Sequence, residues 1–182
     1  MTTKLPDAYI DLNLCLTLPL LKEAVLLYGI REFDGVANNP IILEWAKELG
    51  STISQYYRAD SIAWCALFMS VCAKRAGYRP PEGFDILRAK SFAKWGDPIA
   101  GEPVLGDILV FNREGGGHVG IYVGEDKNLY HVLGGNQGDC VSIARIPKER
   151  IVTVRRPPMN AMPKCAKRVF RAPQGIISTN EA

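Results

Sequence analysis

The sequence predicts an α+β domain in which N-terminal helices pack on one side of an antiparallel β-sheet. Three observations predict this class. Apolar residues recur at helical spacing through the first half of the 182-residue chain. After residue 107 the pattern changes to short apolar or alternating runs that are separated by glycine-rich turns, which is typical of strands joined as hairpins. Helices that precede such a meander of strands collect on one face of the sheet.

Four segments are predicted to be helical, and glycine or proline marks most of their ends. Asn39 and Pro40 form a clear helix start, because a capping residue precedes a proline at the first helical position. Gly50 follows the last apolar residue of this helix, and a loop is predicted from Leu49 to Tyr57. The predicted helices cover residues 19–28, 40–49 and 86–95, together with a central helix that starts at residue 60 or 61 and ends at Gly77.

Five strands are predicted after residue 107. In the second of them, His118, Gly120 and Tyr122 alternate with apolar residues, so two different faces of the sheet are expected. A single domain is predicted over residues 1–157, and residues 158–182 are expected to be a C-terminal tail or extension. The predicted strands are Ile108–Phe111, His118–Val123, Asn128–Leu133, Val141–Ala144 and Ile151–Arg155.

Composition excludes several classes of protein. A net charge of +3 is too small to indicate nucleic-acid binding, and no run approaches the ~20 apolar residues that cross a membrane. Asp7 and Asp11 interrupt the apolar N-terminal stretch, so no signal peptide is expected, and synthesis in the cytoplasm follows. The five cysteines include no Cys-x-x-Cys pair, so most thiols are expected to be free and no metal or cofactor is predicted. We expect a monomer.

The central helix carries a cysteine close to its start. The helix is apolar on nearly all sides and is therefore predicted to be buried. Cys65 lies about one turn from the predicted N-terminus, where the helix dipole favours a thiolate, which is the nucleophilic form of cysteine. Cys65 is therefore the candidate nucleophile, and a histidine is expected beside it as the base.

His118 is the candidate base, because the helix-then-sheet order allows the start of the central helix to abut the sheet face that bears it. Gly120 on the same face is expected to leave room for a substrate. Two residues compete to orient the imidazole, namely Asn136 and His131. Asn136 is favoured because glycines flank its segment. Each residue alone is more simply explained by packing or by a turn, and only the combination indicates a catalytic site.

Three runs of the sequence are notable: Trp64–Phe68, Gly106–Phe111 and His118–Gly124. Together they resemble the NlpC/P60 and CHAP superfamily of cysteine peptidases. The resemblance covers roughly residues 20–157, and it is closest to a phage-associated branch of the superfamily. That branch carries Asn38-Asn39-Pro40 before a helix and a Gly-Gly-Asn-Gln-Gly element after the histidine strand.

The resemblance implies a papain-like fold and hydrolysis of amide bonds in bacterial peptidoglycan. Cys65 would be the nucleophile and His118 the base, without a metal or cofactor. The CHAP pattern implies Asn136 as the third residue, whereas the NlpC/P60 pattern implies a second histidine, which His131 nearly matches. Action at the cell wall or in the periplasm is then expected, in host-cell lysis or after secretion by another route. The alternatives are a catalytically inactive wall-binding or virion-associated protein and a cysteine hydrolase or acyltransferase with another substrate.

Overall fold

The computed structural model describes residues 4–173, 175, 177 and 178. It has the predicted α+β class, because helices occupy the first half of the chain and an antiparallel sheet follows them. The α-helices are α1 (Pro19–Leu26), α2 (Pro40–Leu49), α3 (Ser51–Tyr56) and α4 (Cys65–Arg75). Short 3-10 helices cover Asp7–Leu14, Gly83–Leu87, Ala89–Lys94 and Lys148–Arg150.

The sheet has six strands in the order β1-β6-β2-β3-β4-β5, and every neighbouring pair is antiparallel. The last strand, β6, lies between β1 and β2, whereas β2 to β5 follow one another as a meander. The strands are β1 (Asp97–Pro98), β2 (Ile108–Arg113), β3 (Gly116–Glu125), β4 (Leu129–Gly134), β5 (Ser142–Pro147) and β6 (Ile151–Arg156).

The two faces of the sheet carry different apolar clusters. One face packs on the helices, and its strand residues belong to the main core together with side chains of α1, α2 and α4. The alternate residues form a smaller cluster on the opposite face. The strand residues in the main core include Ile108, Val110, Val119, Ile121, Val123 and Leu133. The second cluster consists of Leu109, Phe111, Tyr122, Tyr130, Val132, Ala144 and Ile146.

The structure differs from the predicted helices directly after α2 and over residues 86–95. The predicted loop after α2 contains a further helix, α3, because Gly50 takes a positive φ of 133° and the chain resumes helical geometry with Ile53 buried. The predicted helix over residues 86–95 is replaced by two 3-10 helices, since Arg88 between them is extended. The predicted start of α2 is confirmed, because the Asn39 side chain accepts the N–H of Ile41 at 2.9 Å.

The segment after β6 is attached to the rest of the chain. A disulfide joins Cys165 to Cys15, with 6.0 Å between the Cα atoms, whereas Cys65, Cys72 and Cys140 are free. Three of the five thiols are thus free, and the sequence did not indicate the pair that is bonded because 150 residues separate its members. No described helix has both the length and the apolar character that crossing a membrane requires.

Candidate active site

Cys65 is the first residue of α4 and is buried, with 4% of its surface exposed. The helix begins later than the sequence predicted, because Trp64 is the capping residue and no side chain caps the end. Asp60, one of the two residues at which the sequence placed the start of this helix, has a different role. Its carboxylate accepts the backbone N–H groups of Phe33 at 3.1 Å and Asn39 at 2.7 Å.

The tryptophan before the cysteine holds the start of α4 in place. Trp64 is fully buried, and its ring lies 5.8 Å from that of Trp45. Its indole N–H donates to Glu32 at 2.6 Å. A buried tryptophan whose N–H has a partner is a rigid anchor. The position of Cys65 is therefore set by core packing on its N-terminal side.

Cys65 lies at the point where β3 and β4 separate. The N–H of Tyr122 points to the β2 side of β3, because it donates to the carbonyl of Asp107 at 2.8 Å. N–H groups along a strand point alternately to its two sides, so the N–H of Val119, three residues earlier, points away from β2. On that other side, the pairing of β3 with β4 begins only at Ile121. The N–H of Val119 instead forms a hydrogen bond with the Cys65 sulfur, which lowers the pKa of the thiol. The thiol is therefore beside the residue that follows His118.

The start of α4 does not abut the sheet face that bears His118, although the sequence had predicted that it would. The helices pack on the face that bears Val119 and Ile121. His118 lies on the opposite face, where its ring stacks on Phe111 with 6.4 Å between centroids and 27° between planes. Cys65 therefore approaches the histidine strand at its open edge and not across the face that carries the imidazole.

Burial and local dipoles act in opposite directions on the thiol. Burial raises the pKa of Cys65 above its ordinary value, whereas the Arg113 charge and the backbone N–H groups of Val119, Ala66 and Cys65 itself lower it. The net pKa is raised. The helix N-terminus therefore does favour the thiolate, as the sequence indicated, but burial outweighs this effect on the pKa. A base is needed to remove the proton of Cys65.

His118 is completely buried, and its Nε2 lies 3.0 Å from Oε1 of Gln137. The orientation of this amide is determined by its other end, because Nε2 of Gln137 donates to the carbonyls of Val132 at 3.1 Å and Ser142 at 2.6 Å. The amide oxygen must then accept the Nε2–H of His118. In the neutral ring the lone pair is consequently on Nδ1, the atom that a general base would use.

The amide beside His118 belongs to Gln137 and not to Asn136, which was the predicted third residue. Asn136 has a φ of 56°, and its Oδ1 is buried without a hydrogen-bond partner among the described residues. The element after the histidine strand therefore does supply an amide, but from the adjacent position. Ser142 also binds this element, because its hydroxyl donates to the backbone carbonyl of Gln137 at 2.9 Å.

His131, the other candidate for the third role, lies far along the sheet. It pairs with Gly124, six residues along β3 from His118, which corresponds to about 20 Å of strand. Its Nδ1 lies 2.8 Å from the Tyr9 hydroxyl, and its Nε2 lies 3.3 Å from Asp126. His131 is thus fully engaged in a separate buried network.

A cleft of about 300 Å³ opens beside the thiol. Ala63, Arg88 and Lys90 on its wall are exposed, so solvent reaches it. Arg113, at the end of β2, also lines the cleft. Neither this arginine nor Gln137 was identified from the sequence. The Gly-Gly-Asn-Gln-Gly run indicated the segment that contains Gln137, whereas nothing in the pattern singled out Arg113. The cleft is lined by Ala63, Cys65, Leu87, Arg88, Ala89, Lys90, Arg113, Gly116 and Gly117.

Gly120 has a different role from the expected one. A Cβ atom at this position would lie 2.5 Å from Cγ1 of Val132 and 2.9 Å from the carbonyl of Leu133. The space above Gly120 is therefore occupied by β4, and no room for a substrate remains there. Within the described part of the chain, no group of three or more His, Cys, Asp or Glu side chains is placed to hold a metal ion.

No protein-family model matches this chain, and no curated protein matches it significantly. The resemblance to NlpC/P60 and CHAP peptidases is therefore carried by the short motifs alone.

Proposed function

We propose that this protein is a cysteine hydrolase that cleaves an amide bond in the stem peptides of bacterial peptidoglycan. The observation that carries the proposal is the position of the Cys65 thiol. It lies at the backbone N–H of Val119, directly after His118, and on the wall of a cleft that is open to solvent. The substrate class comes from the motif resemblance, as does the papain-like arrangement of helix and sheet.

In the proposed reaction, His118 acts as the general base. The buried thiol of Cys65 gives its proton to Nδ1 of His118 as the sulfur attacks the carbonyl carbon of the amide. Backbone N–H groups at the start of α4 stabilise the oxyanion, and each such donor typically contributes ~3 kcal/mol. His118 then protonates the departing amine, and water hydrolyses the thioester to release the acid and regenerate the thiol.

Gln137 takes the orienting role in this mechanism. Its amide oxygen accepts the Nε2–H of His118, which keeps the lone pair on Nδ1. Three hydrogen bonds fix the residue, two donated by its own side chain and one accepted by its backbone carbonyl. Gln137 therefore replaces Asn136 as the third member of the proposed triad.

The experiment is clearing of a suspension of purified cell walls by the purified protein. Clearing should be lost in Cys65→Ala, because the nucleophile is removed. Cys140→Ala is the matched control, since Cys140 is also a free thiol but lies away from the cleft, and it should clear at the parental rate. Clearing that persists in Cys65→Ala would contradict the proposed nucleophile. Mass spectrometry of the released muropeptides would identify the bond and would reveal a hydrolase or acyltransferase with another substrate.

The second candidate function is a wall-binding or virion-associated protein without activity. The complete burial of His118 and the 4% exposure of Cys65 favour it, because an active site must admit a substrate. Such a protein would sediment with cell walls yet release no muropeptides. Its Cys65 would also react with iodoacetamide no faster than an ordinary buried thiol, whereas an active centre would react faster.

A further inference from the structure

Among the Lys, Arg, Asp and Glu residues of the described structure, Arg113 alone has buried side-chain atoms without a hydrogen-bond partner. Its Nε and Nη1 atoms are buried, and neither has a hydrogen-bond partner among the described residues. Burying a charged group without a partner costs free energy, which is recovered when an anion binds beside it. Arg113 is one of the residues that line the cleft at Cys65, and the residue as a whole is only partly buried.

The rest of the cleft also favours an anion. Arg88 and Lys90 line the same cleft, and none of the described residues that line it is acidic. Arg88 forms an exposed ion pair with Asp85 at 3.2 Å, which leaves Arg113 and Lys90 to act on the cleft. Burial raises the pKa of the Cys65 thiol, so the thiol adds no countercharge to the cleft. The positive charge of the cleft is therefore available to a ligand.

We propose that the cleft beside Cys65 binds a carboxylate of the substrate close to the amide bond that is cleaved, with Arg113 as its principal ligand. This inference rests on the proposed function, because it assigns the substrate charge that the same site recognises. A guanidinium matches a carboxylate in shape, since two parallel N–H groups can donate to its two oxygens. The substrate is thus an acidic peptide, and the same peptide with that carboxylate converted to an amide is a poor one.

The test compares two alkylating reagents that differ in charge. Iodoacetate carries a carboxylate, iodoacetamide carries a neutral amide, and both form the same bond to sulfur with loss of iodide. The reactions are run on a Cys140→Ser background, so that Cys65 is the accessible free thiol, and peptide mass spectrometry locates the adduct. The ratio of the iodoacetate rate to the iodoacetamide rate should be at least about 10-fold higher in this background than after Arg113→Gln. Any general change in thiolate content cancels in the ratio.

Two matched variants distinguish specific binding of the carboxylate by Arg113 from a general attraction of anions to the positive charge of the cleft. Lys90→Gln removes an exposed charge from the same cleft, and it should change the ratio by less than about threefold and only at low salt. Arg113→Lys keeps the charge but loses the planar fork, so its ratio should be intermediate. A third measurement needs no variant: glutarate should protect Cys65 from iodoacetamide, and glutaramide should not.

The outcomes distinguish this inference from the proposed function. A reactive Cys65 whose rate ratio is the same before and after Arg113→Gln would overturn the carboxylate site and leave the nucleophile intact. Equal protection by glutarate and glutaramide would overturn it as well. A Cys65 that reacts with neither reagent would overturn the proposed nucleophile, and the inference with it.

Discussion

At the scale of single residues, the environment of His118 depends on one side chain whose importance the sequence did not reveal. The Gly-Gly-Asn-Gln-Gly run contains two adjacent amides, and the pattern favoured the first. Asn136 takes a left-handed backbone conformation, and the side chain that contacts the imidazole is that of Gln137. Neighbouring residues in such a turn point in different directions, so sequence spacing alone could not decide between them.

Replacement of Gln137 by leucine tests its positioning role. Gln137→Leu removes the acceptor of the Nε2–H, so kcat/KM for wall hydrolysis should fall about 10-fold. The imidazolium also loses a hydrogen bond that stabilises it, so the acid limb of the pH–rate profile should move to lower pH. A purely structural role would not shift this limb. Asn136→Gly is the control, because glycine accepts the positive φ, and it should keep the parental profile. The opposite pattern would restore Asn136 to the triad.

At the scale of elements, the site depends on how closely the β4–β5 loop approaches the start of α4. Gly135 in this loop has no space for a side chain, because a Cβ atom would lie 2.6 Å from Cβ of Phe68 and 2.8 Å from the ring of Trp64. The glycine-rich segment is thus required for packing. A role for the glycines in supporting the amide of Asn136, which the sequence favoured, would therefore account for only part of the composition of this loop.

The close approach at Gly135 predicts the effect of a single methyl group. Gly135→Ala should lower the free energy of unfolding by about 1–3 kcal/mol, because Trp64 and Phe68 are buried and can move little. It should also lower activity, since the loop that carries Gln137 must shift. Gly101→Ala is the control, since nothing lies within 4 Å of the added methyl group. Urea unfolding of both variants measures the difference, and equal stabilities would contradict the tight contact.

At the scale of the whole molecule, the segment after β6 joins the two ends of the described chain. Arg171 forms an ion pair with Asp11 at 2.9 Å, and the Cys15–Cys165 disulfide lies in the same region. Further along the sheet, the buried carboxylate of Glu125 is bonded by Arg168 and Lys148. The boundary at residue 157 stays a prediction, but the extension beyond it contributes contacts to the folded domain.

Reduction of the disulfide should destabilise the protein without removing the candidate site. A disulfide that closes a long loop typically contributes 2–5 kcal/mol, so a reductant should lower the free energy of unfolding by about that amount. The double variant Cys15→Ser/Cys165→Ser should reproduce the loss and become insensitive to reductant. Cys140→Ser should respond to the reductant as the parent does. Identical urea midpoints with and without reductant would contradict a stabilising role for this bond.

The buried network around His131 predicts how stability depends on pH. Burial lowers the pKa of His131, although Asp126 partly opposes this, so the unfolded chain takes up a proton below about pH 6.5 that the folded protein excludes. Stability should therefore fall as the pH drops through this range. Burial opposes ionisation of Asp126, but hydrogen bonds led by that from Arg145 lower its pKa to about 2. A second loss should follow below about pH 4, where unfolded carboxyl groups become protonated.

Urea unfolding at pH 7.5, 5.5 and 3 measures both steps. His131→Gln should reduce the loss between pH 7.5 and 5.5, because the variant has no imidazole to protonate at this position. The second loss, below pH 4, should remain. An unchanged dependence between pH 7.5 and 5.5 would contradict the assigned burial of a neutral His131.

By itself, the sequence determined the class of fold, the capped start of α2 at Asn39, the alternation of β3 and the pairing of a helical cysteine with a strand histidine as candidates. These features follow from local periodicity and local capping, which depend on residues a few positions apart. Only the tertiary structure decided that Gln137 contacts His118, that Arg113 lines the cleft and that Cys15 bonds Cys165. Such contacts depend on where strands separate and on which distant segments the loops bring together. The same holds for the pKa of Cys65, which is raised because segments distant in sequence bury the thiol.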